Sequence, residues 1–286
     1  MIIARTKQEI RSATAAVRGK DIAFVPTMGA LHAGHYSLVR EARKAVGEEG
    51  IVIVSIFVNP TQFNNTDDLE NYPNTLAQDL RGCENEGADI VFTPQANMMY
   101  EDDASITVSE GMLSTTLCGA TRPGHFDGVC TVVLKLYNLV QPDVMVFGEK
   151  DFQQVAIIKR MVRDLDIPVQ IISVNTVRDE NGLALSSRNT RLSARAREEA
   201  PIIYKQLQKA ADLLSKQELS PKEANGFIKA EFSALKSETK IDYVEVVDAE
   251  TMQPVLEITE REVILAIAVF FDDIRLIDHL SVPSHP

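Results

Sequence analysis

The chain has 286 residues, of which 45% are hydrophobic and 24% charged, a balance typical of globular proteins and unlike that of disordered or fibrous ones. The formal net charge of -12 disfavours broad contact with nucleic acid or an anionic membrane, so a polyanion would need a local basic pocket. The 3 cysteines lack CxxC spacing, which favours neither a disulfide framework nor a structural zinc site and fits a reducing compartment.

The N-terminal segment is charged and amphipathic, without the apolar core of a signal peptide. The longest apolar stretch, Val263–Phe271, is shorter than the ~20 residues that a membrane-spanning helix needs. We therefore expect a cytoplasmic protein that is neither exported nor inserted in a membrane.

Short apolar strands alternate with helix-periodic segments over about residues 1–176. Strands this uniformly apolar are covered on both faces, as in a parallel sheet with helices on each side. The sequence therefore predicts a doubly wound, Rossmann-like α/β domain over residues 1–176. The predicted strands are 22–25, 51–58, 88–92, 143–147 and 168–174, and the predicted helices are 35–46, 75–87, 131–140 and 152–165.

The pattern changes after that point and predicts a second, smaller α+β domain over residues 177–286. Ser220 and Glu223 have the spacing of a capping box, and Pro221 stands at the first helical position, where a missing N–H has no cost. The predicted elements are a helix over 194–216, a helix beginning after Ser220, and strands over 241–247 and 263–271.

A turn with two glycines and two histidines joins the first of these predicted strands to the helix that follows. Its sequence from Pro26 to His35 is PTMGALHAGH. At the carboxyl ends of parallel strands, a helix N-terminus offers N–H donors and a partial positive charge to phosphate. The spacing is neither GxGxxG nor that of a P-loop, so we predict a phosphate site of another kind.

His32 and His35 are three residues apart and share one face of a helix, so both could touch the same phosphate. A zinc pair would need a third ligand, and His125, His279 and His285 lie in no matching motif. Ordinary turn and helix-start residues are the other alternative. The preceding strand and the glycines favour the phosphate site.

The strand–HxGH–helix pattern resembles the signature of nucleotidylyl-transferases, which adenylate a substrate with ATP. Four further segments follow in order: VSIFVNPTQF, RPGHFDGV, FGEKDFQQ and LALSSRN. Together with FVPTMGALHAGH they resemble the pantothenate synthetase (pantoate–β-alanine ligase) family. The resemblance implies formation of pantoyl adenylate from ATP and pantoate, then attack by β-alanine, with pyrophosphate and AMP released. It also implies a homodimer formed through the N-terminal domain.

The chemistry of adenylation brings negative charges together, so catalysis must come from positioning and fixed positive charge. The catalytic candidates are His32, His35, Lys150 and Arg188. A loop lysine is ordinarily solvated and a Ser-Ser-Arg sequence is ordinarily a surface turn, but their places in the matched motifs favour a site. The ATP-binding candidates that the resemblance implies are Met28, Gly29, Ala30, Leu31, His32, Ala33, Gly34, His35, Gly148, Glu149, Lys150, Asp151, Val177, Leu185, Ser186, Ser187 and Arg188.

Neutral amides can bind the hydroxyls and carboxylate of pantoate without blunting its nucleophilicity. The resemblance assigns pantoate to Gln62 and Gln154, with Gln62 also near β-alanine, and Asn59 follows the same predicted strand as Gln62. An apolar wall would face the dimethyl carbon of pantoate. It comprises Pro26 and, with core packing as their alternative role, Met28 and Phe63.

Two positions depart from the family pattern. Asn74 stands where the family commonly has arginine, and Gln78 stands where an acidic residue is common. Mg²⁺ is expected because it usually binds through substrate phosphates and one or two carboxylates. Asp79 remains as the candidate carboxylate beside the metal.

Two other functions stay open at this point. A cofactor adenylyltransferase would share the HxGH turn but gives no reason for the amides of NPTQF and GEKDFQQ. A catalytically silent nucleotide-binding scaffold would keep the fold, and retention of both histidines, Lys150 and Arg188 argues against it. Because pantoyl adenylate is open to hydrolysis, we expect the second domain to act as a lid, with residues 178–182 as its hinge.

Overall fold

The computed structural model describes residues 1–283, so His285 lies outside the described part of the chain. The chain forms two compact units. Unit 1 comprises Met1–Glu110, Pro123–Glu149 and Gln154–Thr176. Unit 2 comprises Gly111–Arg122, Lys150–Gln153 and the residues from Val177 onward. The assignment of substrate binding to residues 1–176 and of a lid to 177–286 stays a prediction.

A six-stranded sheet is the centre of unit 1, and each neighbouring pair of its strands is parallel. The strands are β1 (Ile2–Ala4), β2 (Ile22–Thr27), β3 (Ile51–Ile56), β4 (Ile90–Phe92), β5 (Val144–Gly148) and β6 (Gln170–Val174). Their order is β1-β4-β3-β2-β5-β6. After β2, the chain adds β3 and β4 on one side of β2, and it later adds β5 and β6 on the other side. This reversal creates a topological switch point between β2 and β5, and α/β proteins bind ligands at such points.

The apolar strands behave as the sequence predicts, and the doubly wound fold is confirmed. The first four residues of β2 and the first five of β3 are buried. On one face of the sheet, Ala23, Val25, Val52 and Val54 pack with side chains of the neighbouring helices in one core. The helices along this part of the chain are α1 (Lys7–Ala16), α2 (Ala33–Val46), α3 (Thr66–Glu70), α4 (Leu76–Asn85), α5 (Ala96–Met99), α6 (Leu117–Thr121), α7 (His125–Val140) and α8 (Phe152–Asp164).

Helix α7 begins at His125 and not at residue 131, so the predicted start is wrong. Its N-cap is Gly124, whose left-handed φ of 77° starts the helix without a side-chain cap. Gly128 lies in the first turn, where an added Cβ would be 2.5 Å from the carbonyl oxygen of Thr61. Gly128 is therefore required for the close approach of α7 to the chain after β3. The same glycine weakens the helical pattern in the sequence.

Unit 2 contains a three-stranded antiparallel sheet with the order β7-β8-β9. The strands are β7 (Thr239–Asp248), β8 (Val263–Phe271) and β9 (Ile274–Val282), and the helices α9 (Ala194–Glu199), α10 (Ile202–Ser215) and α11 (Pro221–Phe232) precede them. The single helix predicted over 194–216 is wrong, because Pro201 lacks an N–H and divides it into α9 and α10. The capping box of Ser220 and Glu223 is confirmed.

The cysteines Cys83, Cys118 and Cys130 are buried free thiols. Burial raises the pKa of Cys83 to about 12, with a further contribution from the Asp79 carboxylate. Burial likewise raises the pKa of Cys130 to about 12. Both thiols therefore stay neutral at physiological pH and are poor nucleophiles. Within residues 1–283, no helix combines the length and apolar character needed to cross a bilayer.

We expect the free energy of unfolding to fall at alkaline pH because of these two thiols. An unfolded thiol ionises near pH ~8.5, whereas Cys83 and Cys130 ionise at about 12 in the folded state. Their stabilising contribution is complete below pH ~8.5 and is lost above it, by about 1.4 kcal/mol per pH unit for each thiol. Urea unfolding between about pH 8 and 10 measures this slope. The double variant C83A/C130A should show a shallower slope, and equal slopes would contradict the assignment.

Candidate active site

The chain reverses directly after β2 through two residues with left-handed backbone. Gly29 has a φ of 82° and Ala30 a φ of 49°. A Cβ at Gly29 would lie 3.0 Å from Ile56 Cγ2 and 3.1 Å from Asp79 Oδ2, so space and conformation both require glycine. Ala30 has no such freedom, and its left-handed conformation costs about 1–2 kcal/mol that other contacts must offset.

The carboxylate of Asp79 anchors this turn. Ala30 N and Leu31 N donate to its Oδ2 and Oδ1 at 2.9 Å each, and Thr75 Oγ1 donates to Oδ1 at 3.0 Å. Asp79 is only 1% exposed. Charge-assisted hydrogen bonds of this kind are roughly twice as strong as neutral ones, so they hold the left-handed turn in place. The sequence singled out Asp79 for a metal and did not show this anchoring role.

The two histidines lie at the start of α2, as predicted, with their rings 4.1 Å apart. His32 is the N-cap, and its Nδ1 accepts from Gly34 N at 3.2 Å. His35 Nδ1 accepts from His32 N at 3.3 Å. Because each Nδ1 uses its lone pair to accept a backbone N–H, the proton of each neutral ring is on Nε2.

Two buried amides follow β3. Asn59 precedes a 3-10 turn over Pro60–Gln62. Asn59 Nδ2 donates to Gln62 Oε1 and to Gly128 O, each at 3.1 Å. Gln62 Nε2 lies 3.0 Å from Met28 Sδ, so the structure brings the turn after β3 to the turn after β2. Asn59 is 1% exposed and its amide contacts protein groups, and its predicted place beside the substrate stays a prediction.

Further contacts fix the backbone around Gln62. His125 Nδ1 lies 2.7 Å from the carbonyl oxygen of Gln62, which can only accept, so this nitrogen carries the proton. The ring of Phe63 meets that of Tyr72 edge-on with centroids 5.7 Å apart. Pro26 is half-buried in β2 and pairs with Ser55 in β3. Of the residues predicted for the apolar wall, Pro26 lies in β2, Met28 follows the end of β2, and Phe63 follows the 3-10 turn.

A cavity of about 520 Å³ opens beside the Met28–Ala30 turn, on the side of β1 and β4. It reaches from Met28 to Asp79 and to Asn74, the position that departs from the family pattern. A shorter, neutral side chain at Asn74 leaves this part of the cavity without the cation that an arginine would bring there.

The segment after β5 joins the two units. Gly148 ends β5, and Glu149 accepts from Ser173 Oγ at 2.9 Å, which ties it to β6. Lys150 Nζ lies 3.8 Å from the exposed carboxylate of Asp151. Gln154 lies half-buried in the first turn of α8. By contacts, Lys150 belongs to unit 2 and Gln154 to unit 1.

Residues 177–185 form a hairpin in unit 2, closed by Leu185 N donating to Val177 O at 2.9 Å. The Arg178 guanidinium binds both carboxylate oxygens of Asp278 and stacks on the ring of Tyr204, 3.7 Å from its centroid. Asp278 is 4% exposed. These contacts tie Arg178 to unit 2, and the expectation that residues 178–182 form a hinge stays a prediction.

The Ser-Ser-Arg sequence follows this hairpin. Ser186 caps a 3-10 turn over Ser187–Arg191, and its Oγ accepts from Arg188 N at 3.3 Å. Ser187 is buried. Asn189 Nδ2 donates to Ala184 O at 3.0 Å, which ties the turn back to the hairpin. The motif therefore stands on a defined backbone within unit 2.

Sequence reasoning missed the role of Gln153, the first of the two amides in FGEKDFQQ. Its Nε2 donates to Leu113 O and Thr116 O at 2.7 and 2.8 Å, and its Oε1 accepts from Cys118 N at 3.0 Å. It holds Gly111–Arg122 to Lys150–Gln153 in unit 2. Adjacent amides look alike in a sequence, and only their partners separate a structural amide from a candidate ligand.

The pantoate-beta-alanine ligase family model matches residues 2–281 of the chain. A pantothenate synthetase of Akkermansia muciniphila is 50% identical over 282 residues, which cover 97% of this chain and 98% of the relative. A crystal structure of pantothenate synthetase from Thermus thermophilus has a TM-score of 0.89 and 41% identity, with 99% of each chain covered. A pantoate-beta-alanine ligase from Francisella tularensis, solved in complex with beta-gamma ATP and beta-alanine, has a TM-score of 0.81 and 36% identity, covering 98% of this chain and 97% of that one.

The anchoring role of Asp79 predicts a large loss of stability in Asp79→Asn. The amide keeps the shape but turns one acceptor into a donor that faces a backbone N–H, so a buried donor loses its partner. We expect a loss of about 1–3 kcal/mol in the free energy of unfolding, measured with urea. Glu84→Gln, on the exposed side of the same helix, is the matched control and should change stability by less than about 0.5 kcal/mol. Similar stability of the two variants would refute the anchor.

Proposed function

The chain belongs to the pantoate-beta-alanine ligase family, and we propose that its reaction is carried by the groups at the carboxyl ends of β2, β3 and β5 together with the Ser-Ser-Arg turn. It is an ATP-dependent ligase that joins pantoate to β-alanine through pantoyl adenylate and releases pyrophosphate and AMP. The pantoate carboxylate forms a bond to the α-phosphorus as the bond to pyrophosphate breaks. The amine of β-alanine then attacks the acyl carbon, and AMP leaves.

The orientation of the two histidines is the observation that carries the proposal. Each Nδ1 accepts a backbone N–H. Each neutral ring therefore has its proton on Nε2, and a phosphate oxygen can accept it. Preorganised donors of this kind stabilise the charge that shifts onto phosphate in the transition state. In our proposal, Met28–His35 binds the ATP phosphates, with His32 and His35 as catalytic donors.

Pantoate binding is assigned to the amides and the apolar wall. Gln62 and Gln154 donate to the acid substrate, and Pro26, Met28 and Phe63 face its dimethyl carbon. The contact between Gln62 Nε2 and Met28 Sδ supports this, because it joins the polar and apolar parts of the pocket. Amide donors leave the carboxylate more nucleophilic than an ion pair with a cation would.

The remaining nucleotide contacts are proposed for two other segments. Lys150 and Arg188 would stabilise the departing pyrophosphate, and the hydroxyls of Ser186 and Ser187 would accompany them. The other proposed ATP contacts are Gly148, Glu149, Asp151, Val177 and Leu185. Because a mixed anhydride hydrolyses in water, we propose that unit 2 acts as a lid that moves as one body.

Within residues 1–283, no group of three or more His, Cys, Asp or Glu side chains is placed to hold a metal. Both oxygens of Asp79 already accept hydrogen bonds from the turn and Thr75. The residues therefore do not fit a dedicated metal site, and Mg²⁺ would be carried by ATP. We expect Asp79→Asn to need the same Mg²⁺ concentration as the unchanged protein. A raised Mg²⁺ requirement in pyrophosphate release, with an unchanged KM for ATP, would make Asp79 a metal ligand.

We also propose a homodimer formed through unit 1 and a cytoplasmic location. The family resemblance supports the homodimer. The buried free thiols are compatible with a reducing compartment. Sedimentation equilibrium of the purified chain tests the dimer.

A product assay with ATP, pantoate and β-alanine tests the proposed function against its rivals. AMP and pantothenate should appear only when both acids are present. An adenylyltransferase would pass AMP to a phosphate acceptor and ignore both acids. A silent scaffold would bind ATP without turnover.

We expect His35→Ala to remove most of the first half-reaction while the protein stays folded. The variant loses a preorganised donor to phosphate, which typically lowers the rate about 10²–10³-fold. Pyrophosphate release in the absence of β-alanine measures this step, and urea unfolding checks the fold. His279→Ala, in β9, is a control for the loss of an imidazole. Near-normal pyrophosphate release by His35→Ala would rule out its catalytic assignment.

A further inference from the structure

The amide of Gln62 is useful to an anionic substrate only if its Nε2 end, and not its Oε1 end, faces that substrate. The two ends have the same shape and opposite polarity, so the surrounding groups must choose between them. The structure shows which group makes this choice, in a set of contacts confined to unit 1.

The carbonyl of Gly128 fixes the polarity of Asn59. A carbonyl oxygen can only accept, so the atom of Asn59 that lies 3.1 Å from it must be Nδ2. The same Nδ2 lies 3.1 Å from Gln62, whose facing atom must therefore be Oε1. Nε2 is left at the other end of the Gln62 amide, beside Met28.

Two hydroxyls secure the opposite end of Asn59. Tyr100 Oη donates to Asn59 Oδ1 at 2.8 Å, and Thr61 Oγ1 donates to the same oxygen at 3.0 Å. Tyr100 directly follows α5 and lies 41 residues after Asn59 in the chain. Burial raises the pKa of the Tyr100 phenol, which keeps the proton that it donates.

We propose that Tyr100 is a positioning residue that acts through Asn59 to hold the Gln62 amide with its donor end toward the acid substrate. This inference rests on the proposed function and adds a residue that lies outside every recognised motif of the chain. Tyr100 itself does not touch substrate. Its hydroxyl keeps Asn59 Oδ1 satisfied, so that Asn59 stays turned toward Gly128 and Gln62.

The variant Tyr100→Phe removes only this hydroxyl. We expect the KM for pantoate to rise about 3- to 10-fold, the effect of one neutral hydrogen bond, with the KM for ATP unchanged. Pyrophosphate release with varied pantoate and saturating ATP and β-alanine measures it. Tyr137→Phe removes a phenol hydroxyl from α7 in the same unit and is the matched control, with both KM values unchanged.

A double-mutant cycle separates positioning from a merely structural role. If Tyr100 acts through Gln62, Tyr100→Phe will change the KM for pantoate little in a Gln62→Ala background, because no amide is left to orient. A rise of the KM for pantoate by the same factor in both backgrounds overturns this relay from Tyr100 through Asn59 to Gln62. An equal rise of the KM values for pantoate and ATP in Tyr100→Phe also overturns it. Thr61→Val, which removes the second donor to Asn59 Oδ1, should act in the same direction as Tyr100→Phe.

The controls distinguish failure of the relay from failure of the proposed function. Absence of pantoate-dependent pyrophosphate release by the unchanged protein overturns the function and the relay together. Normal release by the unchanged protein with identical kinetics in Tyr100→Phe overturns the relay alone. Urea unfolding of each variant shows whether a changed KM comes with a changed fold.

Discussion

The site depends on a buried carboxylate that holds a left-handed turn. Asp79 gives Ala30 and Leu31 the acceptors that their backbone N–H groups need inside the protein. It can do so because α4 approaches α2 closely, where a Cβ at Gly82 would lie 2.1 Å from Tyr36 Oη. Burial, with the nearby charge of Asp79, also raises the pKa of Tyr36, so the phenol keeps its proton beside this carboxylate. Without it, the turn would lose the contacts that offset its strained backbone.

The sequence predicts the elements whose signal is local. Uniformly apolar strands predicted the parallel sheet, and the Ser220 capping box predicted the start of α11. Local signals failed where tertiary packing decides the backbone, as at Gly128, which lets α7 approach Thr61. The strand β9 (Ile274–Val282) was not predicted, because Ile277 interrupts its alternation of polar and apolar residues and only part of the segment has the period of a strand. Pro201 carried a readable signal for the break between α9 and α10.

The candidate site shows the same division between local and distant information. The motifs identified the histidines, Gln62 and the Ser-Ser-Arg turn, all of which lie on strand ends or defined turns. They did not identify the partners that orient these groups. Asp79 is 49 residues from Ala30, and Tyr100 is 41 residues from Asn59. A single sequence has no signal for such pairs, since each partner alone looks like an ordinary helix or loop residue.

The backbone sets the polarity of the donors in the proposed site. Backbone N–H groups occupy Nδ1 of both histidines, and a backbone carbonyl fixes Asn59 and through it Gln62. Neutral groups oriented in this way can meet two anionic substrates without a tight ion pair to the nucleophilic carboxylate. Shape alone would not suffice, because a reversed amide or imidazole would present an acceptor to an anion. A substitution that preserves volume but frees one of these groups to rotate would therefore weaken substrate binding while leaving the fold intact.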